Sequence, residues 1–123
     1  MDAAVSDRWA KMLAQISTGS DWVEVLLQPL IAAAVATPAL RRLFPFTSLT
    51  RLCFSRCSAY PFTFDCPCIE AYRGGGYVVL ATWSVSDEPA PVLLETADAA
   101  EAVAMVVRHL PDDKRVWIGI SDR

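Results

Sequence analysis

The stretch from Leu43 to Cys57, LFPFTSLTRLCFSRC, marks a change of period that limits the folds open to this chain. Before it, apolar residues recur at helical spacing. After it they alternate, as in a strand with one face toward a core. A helical part (about 2–44) followed by a strand part (about 50–120) points to the α+β class, with helices backing an antiparallel sheet. At 123 residues the chain has the length of a single domain, 1–123, long enough to bury a substantial core.

Asp2 to Ile16 reads as an amphipathic helix, with Val5, Trp9, Met12 and Ile16 on one face and Asp7, Arg8, Lys11 and Gln15 elsewhere. Gly19 breaks it, and Ser20 or Asp21 can cap the next helix. There Val23, Leu26, Leu27, Leu30, Ile31 and Ala34 form an apolar stripe, and Pro29 removes an amide and predicts a kink. Ala32, Ala33 and Ala36 leave a second face of small residues that another element can approach closely. Thr37-Pro38 reads as an N-cap with proline at the first helical position, starting a short helix to Phe44 that Pro45 ends.

From Thr50 the pattern predicts strands at about 50–57, 62–70, 76–85, 91–95 and 115–120. Ser58 to Pro61 forms the first connecting loop and Arg73-Gly74-Gly75-Gly76 the next turn. The strand from Gly76 is apolar on both faces, which places it inside the sheet. Thr96 or Asp98 caps a last helix whose Ala99, Ala102, Val103, Val106, Val107 and Leu110 face the sheet. The expected order is therefore three helices, an antiparallel β-meander and a closing β-α-β unit.

Hydrophobic residues make up 54% of the chain and the mean hydropathy is +0.31, a surplus that calls for either an unusually complete core or an apolar contact surface. A formal charge of −3, with no clustering of Lys and Arg, argues against nucleic acid as a partner. The opening MDAAVSDRW has neither the basic nor the apolar region of a signal peptide. The longest uncharged run, Val25 to Leu40, falls short of the roughly 20 apolar residues of a membrane span. A cytoplasmic protein without a membrane span, its cysteines reduced, is the expectation.

The four cysteines are spaced C-x3-C-x8-C-x-C, unlike paired zinc knuckles. Cys53 and Cys57 on one extended strand stand about 13 Å apart, too far to share an ion or a disulfide. A hairpin closed at Ser58–Pro61 sets Cys53 opposite Cys66, as a thiol pair or a cross-strand disulfide on oxidation, against the plain reading of buried small hydrophobes. The single histidine, His109, falls in the last turn of a helix, where an imidazolium suits the dipole without any catalytic role. The three consecutive glycines lack phosphate-loop spacing. No metal or cofactor is expected, and no catalytic set is read from the chain.

On the other face of the hairpin, Arg56 and Asp65 are diagonal neighbours. They can anchor a polar ligand group, or simply pair with each other. Tyr60 at the loop, with Glu70 and Tyr72 at the far end, are candidates for the rim of a pocket. Arg56, Tyr60, Asp65 and Glu70 are thus the candidate ligand- or partner-binding residues.

LIAAAVATPALRRLFPFTS, then LCFSRC, then YPFTFDCPCIE, together with ETADAAEAVAMVVRHLP, resemble a family of small actinobacterial natural-product biosynthesis proteins carrying a domain of unknown function. The most specific part is Leu43-Phe44-Pro45-Phe46-Thr47-Ser48 followed by Phe54-Ser55-Arg56, and the likeness extends over roughly residues 25–111. The resemblance implies a secondary-metabolite context and no particular reaction, and the cysteines lie outside its pattern. The expectation that follows is a non-catalytic accessory protein that binds a biosynthetic enzyme, a carrier or peptide substrate, or itself as a homodimer. The alternative is a small cofactor-independent, cyclase-like enzyme or a small-molecule-binding protein of the same pathway.

Overall fold

A computed structural model describes residues 3–18, 22–48, 50–56, 66–82 and 90–110. Two helices come first, α1 (Ala3–Thr18) and α2 (Trp22–Val35), then a single helical turn, α3 (Pro38–Arg41). Five strands follow: β1 (Phe44–Ser48), β2 (Arg51–Ser55), β3 (Cys68–Ala71), β4 (Tyr77–Leu80) and β5 (Val92–Thr96). Helix α4 (Ala99–Arg108) comes after them. The strands form one antiparallel sheet in the order β1-β2-β3-β4-β5, a meander. The α+β class and the helices-then-meander order are as the periodicity predicts. The expected strand at 115–120 and the loop at 58–61 lie outside the described residues.

The helices cover one face of the sheet. Val5, Trp9 and Met12 of α1 join Leu27, Leu30, Ile31 and Ala34 of α2 and Ala102, Val103 and Val106 of α4 in one buried cluster. Its sheet side is Leu52, Phe54, Ile69, Ala71 and Val79. Successive strand residues point to opposite faces, so the intervening positions form a second buried cluster of Phe46, Cys53, Cys68, Val78 and Leu80. Much of the apolar surplus in the composition is absorbed by this burial on both faces.

Three local readings are corrected. The short helix does not reach Phe44: it stops at Arg41, and Phe44–Ser48 is a strand paired along its length with β2, from Phe44 opposite Ser55 to Ser48 opposite Arg51. Pro45, buried within β1, lacks an amide, and a strand at the margin of the described sheet tolerates that because only one side of it pairs. Thr37 takes the extended N-cap conformation before Pro38 but makes no capping bond. Its hydroxyl donates instead to the Ala33 carbonyl at 2.9 Å, closing the end of α2.

The third correction is one of register. Arg51 stands opposite Glu70 and Leu52 opposite Ile69, two residues away from the pairing that would oppose Cys53 and Cys66. A two-residue slip leaves every side chain on its own face, so apolar alternation cannot discriminate between the two pairings. Other features do. The expected register would set Pro67, which has no amide to donate, across from Leu52. The observed one instead places Ile69 there and brings the Arg51 guanidinium within 3.3 Å of the Glu70 carboxylate.

α1 is fastened to the start of the sheet by two side chains. The buried Trp9 indole donates to the Leu43 carbonyl at 3.0 Å, and Arg8 Nε donates to the Pro45 carbonyl at 3.0 Å while its guanidinium lies over the Phe44 ring. The β3–β4 turn runs through Gly74, Gly75 and Gly76, all at φ between 93° and 101°, which suits residues without a Cβ. At the other end, both predicted cap residues act together. Thr96 Oγ1 accepts from the Asp98 amide at 3.0 Å, and Asp98 Oδ1 accepts from the Ala100 amide at 2.9 Å. Asp98→Ala is expected to cost about 0.5–2 kcal/mol by orphaning that amide, read as a lower urea midpoint at unchanged m-value.

Candidate functional site

α4 returns across the sheet to lie beside the end of α2, and the contact between them is incomplete. Ala33, Ala36 and Thr37 on one side face Ala100, Val103, Ala104 and Val107 on the other across an open groove of about 480 Å³. The floor is apolar because Val103 belongs to the core. The walls are shallow because four of the seven lining residues are alanines, which offer only methyl groups. The one polar side chain in the lining, Thr37, has its hydroxyl already engaged by the Ala33 carbonyl. Such a groove can take up an apolar surface, and among the described residues that line it there is no convergent acid, base or nucleophile.

The sequence did signal half of this. Ala33 and Ala36 fall on the small-residue face read from the helix pattern, whereas Ala100 and Ala104 gave no separate signal. A further exposed apolar surface lies at the start of α2, where Trp22 and Val25 are about half exposed, and the Arg73 guanidinium stacks 4.4 Å from the Trp22 ring centre.

Of the residues singled out from the sequence, Glu70 lies on the sheet face opposite the helices and pairs with Arg51. Arg56 follows the end of β2, five residues beyond Arg51, or about 16 Å along an extended strand. Tyr60 and Asp65 lie outside the described residues. Tyr72 is half exposed beside the glycine turn. The structure therefore places Glu70 next to Arg51, and Arg51 is the residue the sequence reading passed over.

That same face carries the cysteine pair. Cys53 and Cys68 are both free, both fully buried, and flank the Arg51–Glu70 pair. The Cys53 thiol hydrogen-bonds the Cys68 sulfur, which holds the Cys68 thiol below its ordinary value; Arg51 adds to that, while burial and Glu70 oppose it. The same bond, together with burial, pushes the Cys53 thiol far up. When protonated, Cys68 has the Thr82 carbonyl 3.8 Å away as an acceptor. Cys66 is also free and buried, but within the helix-side cluster. No group of three or more metal-ligating side chains occurs among the described residues. His109 sits at the end of α4 with Nδ1 3.1 Å from the Met105 carbonyl, the helix-terminal position expected for it.

A meander backed on one side by helices, with an apolar groove between two of them, defines a small α+β domain. Residues 3–116 match a family of unknown function, DUF6193, and the chain belongs to that family. No curated protein and no solved structure matches the chain. No helix among the described residues is long and apolar enough to cross a membrane.

Proposed function

We propose that this protein is a non-catalytic accessory component of secondary-metabolite biosynthesis, binding a partner enzyme, a carrier or peptide substrate, or a second copy of itself. The observation that carries this reading is the groove between α2 and α4. Its lining is apolar, it is open rather than enclosed, and its single hydroxyl is already bonded. An apolar helix face or peptide segment gains from burial there, at roughly 25 cal/mol per Å² of apolar surface removed from water. The natural-product context rests on the resemblance of Leu43–Ser48 and Phe54–Arg56 to actinobacterial biosynthesis proteins, and a cytoplasmic site of action accords with free cysteines.

A second reading, a small-molecule-binding or cyclase-like protein, draws on the groove's volume, which falls within the usual range for small-ligand sites. Native mass spectrometry of the protein purified from its own host separates the two. The accessory reading expects a dimer or a complex with another polypeptide at fixed stoichiometry. Ala104→Glu, an exposed helical position in the groove wall, should weaken that complex about tenfold or more while leaving thermal stability unchanged. A small-molecule adduct on a monomer would overturn the accessory reading in favour of the second.

A further inference from the structure

We propose that Cys53 and Cys68 form a cross-strand dithiol that hydrogen peroxide converts, within the folded protein, to a disulfide tying β2 to β3. The placement follows from the ladder. The Ala71 amide donates to the Thr50 carbonyl at 2.9 Å, which makes Thr50 and Ala71 a hydrogen-bonded pair. Antiparallel pairs alternate, so Arg51 and Glu70 form a non-hydrogen-bonded pair, Leu52 and Ile69 a hydrogen-bonded one. Continued one step beyond the last paired residues, the same register sets Cys53 across from Cys68 at a non-hydrogen-bonded position.

At such positions the Cα atoms stand about 4.5 Å apart with side chains closest, inside the span a disulfide bridges. The two thiols are close enough that each shifts the other's ionisation, Cys53 upward and Cys68 downward. Both point to the same side of the sheet, packed with Phe46, Val78 and Leu80. Cys66, in the other cluster, is excluded as the partner by its face.

The chemistry is a two-electron oxidation. The Cys68 sulfur, as thiolate, attacks one oxygen of hydrogen peroxide. The O–O bond breaks, a sulfenic acid forms on Cys68, and hydroxide leaves and takes up the proton that Cys68 released, giving water. The Cys53 sulfur then attacks the Cys68 sulfur. The S–S bond forms as the S–O bond breaks, and the hydroxyl departs with the Cys53 proton as a second water. Two thiols and one peroxide thus yield one disulfide and two waters. Because both sulfurs are buried, a small oxidant suits the site better than a bulky disulfide reagent.

The test exposes the folded chain to hydrogen peroxide, quenches it, unfolds it under alkylating reagent and measures intact mass and bridged peptides. The expected product is lighter by two hydrogen atoms, retains two of its four thiols, and carries the bridge between Cys53 and Cys68. Cys57→Ser and Cys66→Ser should bridge as the parent does, and Cys53→Ser and Cys68→Ser should not. Peptide mapping of the parent chain decides the matter without the variants if one of them fails to fold. A bridge to Cys57 or Cys66, or oxidation of Cys68 to the sulfinic acid with Cys53 left as a thiol, overturns the proposal, as does recovery of all four thiols.

Discussion

Trp9→Ala is expected to lower the free energy of unfolding by about 3–5 kcal/mol, a large share of the roughly 5–15 kcal/mol that a domain of this size has. The indole is 1% exposed and lies with its ring centre 6.4 Å from that of Phe54, so truncation leaves a cavity where α1 meets the sheet. It also removes the only partner described for the Leu43 carbonyl, just before β1 begins. Trp9→Phe separates the two contributions. Most of the packing stays, the donor is lost, and the cost should fall to about 1–3 kcal/mol, the usual penalty for an orphaned buried acceptor. Urea titration by far-UV circular dichroism measures both. A phenylalanine variant as stable as the parent would remove the hydrogen bond from the account and leave packing alone.

Ile69→Ala is expected to cost about 2–5 kcal/mol, against about 1 kcal/mol or less for Glu70→Gln one residue further on. The difference comes from the two faces of β3. Ile69 is fully buried between Leu52 of β2 and Val79 of β4, under the helices, and strands on both sides hold its backbone in place. The site cannot collapse around a missing side chain. Glu70 and its partner Arg51 are each about a quarter to a third exposed, where solvent screens the pair. Comparable losses for the two variants in the same denaturant titration would contradict the assignment of core and outer faces.

Several features were legible in the residues themselves. The helical stripe Val5, Trp9, Met12 is buried as its spacing requires, and so are Leu27, Leu30, Ile31 and Ala34. Asp98 caps α4 because a short acceptor side chain preceding an apolar periodic run has free amides within reach. Phe44-Pro45-Phe46, in contrast, looked like the end of a helix. A proline after an apolar residue is common at helix ends, and nothing local indicates that β2 will supply the pairing that makes β1 a strand. The candidate site followed the same division. Glu70 was named without Arg51, because which residue lies across a strand depends on register, and alternation is blind to slips of two.

The sequence alone therefore determined those properties that depend on neighbours within a turn or two: helical faces, the Asp98 cap, the glycine turn, and the change from helix to strand near Leu43. Tertiary structure decided what depends on partners far along the chain. It chose the register with Arg51 opposite Glu70 and Leu52 opposite Ile69 over the one that opposes Cys53 and Cys66, because Pro67 cannot donate where Ile69 now stands and Arg51 finds Glu70. It also made a groove from two unremarkable alanine faces, since Ala33 of α2 and Ala36 just beyond its end come to face Ala100 and Ala104 of α4 only after the whole sheet has been laid down between them.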